Sequence, residues 1–355
     1  MRKYLRIAAI VFAAVLVLVE GIHLLPGGWK GLFSAVYFAI GGKPGAELRF
    51  QVQVQDAVKD QADAVVGRLD EELQKARFEG VLIDLNQPSS SGQADSIEIR
   101  LKGVPAARAG ELRGLIGARF QGWVLAPVNE TECRLTPGHE KLTVWKRQAF
   151  EQTLTAVGKR IRGMGLVARA VRGPGDVEIT VQLASSGGDT TRLSRILCAR
   201  SRLELAAVVE GPFQNGDEPL VKHGGRIPQN ARLIRQPAGE GDQPEFWFVV
   251  SRTPVVSGRD LRNARPVEDE THRWATAFSL TKDAAARFGR FTESNVGNRL
   301  AIVLDNRVLS APTITERIED SGIISGVRDE QEASDLALVL RSGELPAGLA
   351  PREGQ

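Results

Sequence analysis

The chain has 355 residues, 42% of them hydrophobic and 25% charged, with a formal net charge of +3. Such a length points to two or three domains, and the composition is that of a folded protein rather than a disordered one. The charges are interspersed along the chain, which argues for solubility and against a nucleic-acid partner.

At the N-terminus, Arg2, Lys3 and Arg6 precede an uncharged run from Ile7 to Val19, IAAIVFAAVLVLV. The run alone fits the apolar core of a signal peptide. Counted from Leu5 to Leu25 it reaches the about 20 residues that a spanning helix needs, with Glu20 and His23 near its far end. Pro26-Gly27-Gly28 ends it, and no small-x-small cleavage site follows cleanly. Residues 1–28 therefore read as a cytoplasmic stub and an uncleaved transmembrane signal anchor, with a cleaved signal peptide as the alternative. The basic residues keep that end in the cytoplasm and place the bulk of the chain outside it. The next apolar stretch, Gly31 to Gly42, is too short to span and fits either a strand or an interfacial segment.

Two segments then read alike. In the first, ELRFQVQVQ (Glu47 to Gln55) alternates as a half-buried strand. A helix from Asp56 to about Arg77 carries Ala57, Val58, Ala62, Val65, Leu69 and Leu73 near one face. VLIDL, SIEIRLKGV, a helix around RAGELRGLIG and QGWVLAPV complete it. In the second, KLTVWK (Lys141 to Lys146) reads as a strand and QAFEQTLTAVGKRIRGM as a helix. LVARAV, DVEITVQLA, a helix TTRLSRILCAR and a strand RLELAAVVE follow. IEIRL and VEITV lie about 80 residues apart, and each segment matches the split βαβ, ferredoxin-like plan of βαββαβ.

Gly211 to Glu245 is rich in Gly, Pro and polar residues and reads as irregular loop with a short strand at most. A small α+β unit follows: FWFVVSR as a strand, TPVVSGRDLRNARPVED (Thr253 to Asp269) as a turn, short helix and connection, and WATAFSL as a strand. Thr281 caps a helix KDAAARFGRFTESN. RLAIVLDNRVLSAPTI reads as a hairpin turning at Asp305-Asn306. A last helix runs from Asp329 to Arg341. The expected fold class is α+β: an N-terminal transmembrane helix, a duplicated ferredoxin-like base and an inserted small α+β head. The expected domains are 1–28, 29–140, 141–245, 246–326 (the head), 327–347 (a return helix to the base) and 348–355 (a tail).

The usual constellations of catalysis are missing. His23, His139, His223 and His272 are scattered, and no Cys/His spacing fits zinc. GMGLVA (Gly163 to Ala168) follows a helix and precedes a strand, the reverse of dinucleotide-binding order, so it reads as a helix C-terminal turn. Asp305 reads as a turn former rather than a base. No catalytic residue, cofactor or metal is expected, and the chain does not read as an enzyme. Cys133 and Cys198 are the two cysteines; Cys198 lies in an apolar helical run, which favours a buried free thiol over a disulfide.

ESNVGNRLAIVLDNRVLSAP (Glu293 to Pro312) and SGIISGVRDEQEASDLALVLRSGELPA (Ser321 to Ala347) closely resemble the first periplasmic domain of the SecD family, membrane subunits that assist Sec-dependent protein export. VSGRDLRNARPV, GKRIRGMGLV and ARSRLELAAV are similar to further segments of that family. The resemblance is strong over about residues 145–347 and weak over 30–145. It implies one transmembrane helix, an exported ferredoxin-like base, a mobile head, and then further membrane helices that couple export to the proton gradient. Two departures stand out: Phe38 occupies the position of the family's Asp in a D-L-x-G-G motif ending at Gly41-Gly42, and the sequence stops at Gln355, short of the membrane bundle.

The implied function is that of a SecD-like accessory of protein export. It would sit in the bacterial inner membrane as a single-pass protein and hold unfolded preprotein on the outer face, without proton-conducting helices of its own. SecF and the SecYEG channel are the implied partners. The alternative is a structural or scaffolding SecD paralogue with no translocase role. Phe288 and Phe291, three apart on the head helix, can share a face; they are the candidate polypeptide-binding residues if they are not packed on the head's own sheet.

Overall fold

The computed structural model describes residues 45–86, 91–173, 177–184, 189–225, 227–228, 230–238 and 244–352. The expected anchor (1–28) and the stretch from Gly31 to Gly42 lie outside the described residues. Among the described residues no helix is long and apolar enough to cross a membrane. In chain order the strands and α-helices are β1 (Ala46–Gln53), α1 (Val54–Lys75), β2 (Leu82–Asn86), β3 (Glu98–Lys102), α2 (Ala109–Arg119), β4 (Trp123–Pro127), β5 (Glu132–Pro137), α3 (His139–Gly163), β6 (Ala168–Arg172), β7 (Glu178–Leu183), α4 (Thr190–Cys198) and β8 (Leu203–Phe213). They continue with α5 (Asp217–Lys222), β9 (Ala231–Gln236), β10 (Phe246–Ser251), β11 (Val256–Ser257), β12 (Leu261–Glu268), β13 (Trp274–Leu280), α6 (Lys282–Ser294), β14 (Leu300–Leu304), β15 (Arg307–Ser310), β16 (Ser321–Ile324), α7 (Glu330–Ser342) and β17 (Gly348–Arg352).

Two units result, and each is discontinuous in sequence. The first takes the described residues up to Gln53, Phe150–Ala199 and Gly348–Arg352. Its sheet has the order β17-β1-β7-β6, antiparallel throughout. Followed along the chain, it is β1, the second half of α3, β6, β7, α4 and β17: a β-α-β-β-α-β path in the order fourth, first, third, second. Phe50 and Val52 alternate inward from β1, as the sequence pattern requires, and lie opposite Pro351 and Leu349 of β17.

The second unit comprises Val54–Ala149 and Arg200–Ala347. Its first sheet, β2-β3-β5-β4, is also antiparallel. The order matches that of the first unit with β5, last in sequence, in the place of a first strand, so the arrangement is a circular permutation of the same plan. Val65, Leu69 and Leu73 of α1 and Leu112 and Ile116 of α2 cover Ile99, Leu101 and Leu135 of the sheet. In the second sheet the long β8 is central. Its N-terminal half pairs with β14 and β11 and its C-terminal half with β10, and β9 and β15 complete the order. The two ends of that order, β9 and β15, come into contact, and Ala206, Ile234, Phe248, Val250, Ala301, Val303 and Val308 fill the interior. The third sheet is β12-β13-β16, packed beneath by α6 and α7.

Several sequence expectations are corrected here. Lys141–Lys146 is helical, part of α3, because Leu142, Ala149, Phe150, Thr153, Val157 and Ile161 form one buried helical stripe that runs through it. The two segments do not build consecutive sheets: β1 pairs with β7 and β17, and β8 leaves for the sheet of β14 and β10. The hairpin β14–β15 belongs to that same sheet rather than to the sheet of β12 and β13. Residues 348–352 of the expected tail form β17. The stretch Gly211 to Glu245, expected as irregular loop with a short strand, contains that strand as β9 but also the helix α5, and Leu261–Glu268 is a full strand. The turn at GMGLVA is as expected, with Gly165 at φ 64° and its amide on the Arg162 carbonyl. Both cysteines are free thiols, Cys133 buried and Cys198 half-buried; burial pushes the Cys198 thiol up to about 11.

Candidate functional site

The sheet β12-β13-β16 has two unlike faces. Toward α6 and α7 it presents Ala264, Phe278, Leu280 and Ile324, all buried. Thr276 Oγ1 donates to the Ala333 carbonyl of α7 at 3.1 Å, and Arg341 Nη1 donates to the Ala264 carbonyl of β12. Gly322 is required on this face, since a Cβ there would stand 2.6 Å from Cζ of Phe278. The ring of Phe278 thus lies across the β16 backbone and fixes the strand's distance from the helices.

The opposite face is open. Register places Asn263, Ser279 and Ser321 in one row and Arg265, Ala277 and Ile323 in the next. The central strand contributes the short Ser279 and Ala277, with Asn263 and Arg265 of β12 on one side and Ile323 of β16 on the other, so the face is a trough. A cleft of about 460 Å³ follows it, lined by these six residues together with Ala264, Phe278 and Gly322. Ile323 is 49% exposed, an unusual position for an isoleucine on a strand that ends its sheet. Among the described residues no strand pairs with the outer edge of β16 or of β12.

The trough is anchored at one end by Asp260. Its carboxylate accepts from the amide and hydroxyl of Ser257 at 2.9 and 3.0 Å and from Arg287 of α6 at 2.8 Å. Burial alone would raise the Asp260 pKa, but these bonds outweigh it and hold the carboxyl below its ordinary range. The Asp260 carbonyl takes the amide of Thr281, which occupies the N-cap of α6 without a side-chain cap bond. The start of β12 and the start of α6 are thereby tied to one residue.

Phe288 is 2% exposed and Phe291 is packed against the same core as Phe278, Leu300 and Ile314. Phe288 therefore offers no exposed aromatic surface, while Phe291 packs against the core and remains half-buried. The residues of the trough were not singled out from the sequence. LRNARPVE carries little strand signal: Leu261, Ala264 and Val267 are spaced by three, and Asn and Pro are poor strand formers. Among the described residues no group of three or more His, Cys, Asp or Glu side chains is placed to hold a metal ion.

Residues 232–347 match the family model described as SecDF, P1 head subdomain. The protein translocase subunit SecD of Koribacter versatilis is 30% identical over 321 residues, covering 90% of this chain and 58% of that one. The chain belongs to the SecD family. SecD of Aquifex aeolicus is 36% identical over 204 residues, 58% of this chain and 38% of its own. The chain thus spans between about two fifths and three fifths of these SecD relatives. A solved structure of a membrane component SecDF that enhances protein export is 30% identical, with a TM-score of 0.45, over 59% of this chain and 93% of that chain.

Proposed function

We propose that this SecD family member assists protein export by holding extended, unfolded polypeptide on the outer face of the membrane. The open trough of β12-β13-β16 carries the reading. An extended chain laid along β16 would pair with its free backbone edge, and its side chains on the open face would lie beside Ser321 and Ile323. Relatives named as protein translocase subunits make a polypeptide the fitting occupant. Backbone pairing carries little sequence preference, which suits a factor that meets many substrates. Residues 1–28 would anchor the chain in the inner membrane, each four-stranded sheet would be a ferredoxin-like part of the exported domain, and SecF and the SecYEG channel would be the neighbours.

Binding by one short strand edge and a shallow trough is expected to be micromolar or weaker, about −8 kcal/mol or less favourable. Fluorescence anisotropy with a reduced, unfolded model preprotein tests this without any proton gradient. Saturable binding supports the holding role. Absence of binding at up to about millimolar protein (about −4 kcal/mol) rejects it and leaves a scaffolding role for the same fold.

A further inference from the structure

Within the second unit a second cleft, of about 300 Å³, is lined by Arg68 of α1, Arg119 of α2 and Lys141 of α3, with Phe120, Gln121 and Trp123 between them. Three cations and no carboxylate line it, and each cation comes from a different helix. Phe120 and Trp123 are buried and make its floor. Backbone bonds hold that floor: the Phe120 amide donates to the Ile116 carbonyl at 2.8 Å, and the Trp123 amide to the Phe120 carbonyl at 3.1 Å. Gly122, at φ 76°, lets the lysine stem pass close, since a Cβ there would stand 3.3 Å from Cδ of Lys141.

The cations keep most of their donors free. Lys141 Nζ donates to the Gln121 carbonyl at 2.8 Å and lies 5.5 Å from the centre of the Trp145 ring, which leaves two of its three N–H groups. Arg119 comes no closer than 3.5 Å to Glu72, whose carboxylate already takes Lys75 at 2.9 Å. Among the described residues Arg68 has neither a hydrogen bond nor an ion pair.

We propose that this cleft binds a phosphate group, borne by a small soluble phosphate compound or by a lipid headgroup. A carboxylate presents two oxygens in one plane and is satisfied by a single guanidinium. A phosphate presents its oxygens in several directions and suits donors that converge from three elements, two of them planar forks and one a point charge. Charges of one sign above a buried aromatic floor focus the field on an entering anion. The volume lies at the small end of small-molecule sites, which run from about 300 to about 1,000 Å³.

Calorimetric titration of the full chain in a non-ionic detergent, with inorganic pyrophosphate as the probe, tests this. At low salt the parent should saturate at one site with a Kd below about 1 mM. Arg68 is exposed, so its variants should keep the fold by circular dichroism. Arg68→Gln should weaken binding at least about fivefold and Arg68→Glu at least about twentyfold. A benzophenone side chain in place of the exposed Ala118, which also lines the cleft, separates the two sources in discs that contain phosphatidylglycerol. A lipid adduct that pyrophosphate suppresses assigns the headgroup; no adduct, with pyrophosphate still bound, assigns a soluble phosphate. No saturation by pyrophosphate up to about 10 mM overturns the proposal. So does an affinity that both folded Arg68 variants leave unchanged, or a hexaglutamate peptide that binds as tightly as pyrophosphate.

Discussion

Nη1 of Arg160 donates to the carbonyl of Ala199 at 2.6 Å, and it also reaches the carbonyls of Ile196 and Leu197 at 2.9 Å. Arg160 is fully buried in α3, and the three carbonyls close the C-terminal end of α4. A helix leaves its last carbonyls without intrahelical partners and carries partial negative charge there. A guanidinium from α3 therefore supplies both the donors and the countercharge that α4 needs once its end is taken out of water.

Arg160→Met, which keeps the stem and removes the donors, should cost about 2–4 kcal/mol of stability, because buried acceptors lose charge-assisted partners. Arg160→Lys should fall between Met and Arg, since an ammonium keeps the charge and donors but sits on a differently shaped stem that need not bring its nitrogen to the place of Nη1. Urea denaturation of the three proteins gives the order. A loss under about 1 kcal/mol for Met would mean that the end of α4 opens to solvent instead.

Asp305 and Asn306 turn the β14–β15 hairpin with φ of 51° and 62°, the left-handed pair that a two-residue turn of this twist demands. Asp305 does more than turn. Its Oδ1 accepts from the Arg202 amide at 2.8 Å, and its own amide donates to the Arg202 carbonyl at 3.1 Å. Asp305→Ala should cost about 1–2 kcal/mol, combining the left-handed strain with a lost hydrogen bond. Asp305→Asn should cost less, since Asn tolerates the conformation and keeps an acceptor oxygen. Thermal melts of both variants separate the two contributions; equal losses for Ala and Asn would point to the charge rather than the geometry.

The comparison of these two sites shows where the sequence is legible. Asp305-Asn306 between apolar runs is a local signal, and the turn it implies is present. The helices α1, α4, α6 and α7 were readable for the same reason, because their apolar residues repeat within one element. The partners of β1 and β8 were not readable. Both have a strand pattern, yet the residues that pair with β1 lie at 178–183 and 348–352, and nothing local states the register across such distances. KLTVWK alone reads as a strand because six residues of mixed polarity fit either period; only the longer stripe from Leu142 to Ile161 decides for a helix. The trough stayed hidden because a binding face made of Ala, Ser, Asn and one exposed Ile has no composition of its own. Of the two phenylalanines conspicuous in sequence, Phe288 is core and Phe291 is half-buried against it.

Asp63 makes a pH prediction with an unusual sign. Burial raises its pKa above the ordinary 3.8, and Asp60 adds to the rise, while Arg252, Arg202 and Arg232 pull the other way without cancelling it. The folded protein therefore binds this proton more tightly than the unfolded chain does. The stability that the protonated group contributes is complete below about pH 3.8 and is lost as pH rises through the folded-state pKa. Asp63→Asn, which mimics the protonated form, should be more stable than the parent at pH 7, and the difference should shrink as pH falls toward 4. Urea midpoints at pH 4, 5.5 and 7 test the sign; a variant less stable at pH 7 and equal at pH 4 would reverse the assignment and make the Arg252 pair dominant.

The last prediction separates the trough from the core beneath it. Ile323 is half exposed on the free edge strand β16, so its replacement should leave the fold nearly intact, within about 0.5 kcal/mol. Ile323→Lys should nonetheless weaken binding of unfolded polypeptide about tenfold, roughly 1.4 kcal/mol, because it removes an apolar contact and places a charge where natural edges use one to repel strand addition. Phe288→Ala should behave in the opposite way. Its ring fills the core between α6 and the sheet, so truncation should cost about 3–5 kcal/mol of stability. Whatever fraction of Phe288→Ala remains folded should bind with nearly the parent affinity. Anisotropy titrations and urea melts on the same two variants give four numbers. If Ile323→Lys binds as the parent does while folded Phe288→Ala loses affinity, polypeptide is held near α6 and not along β16.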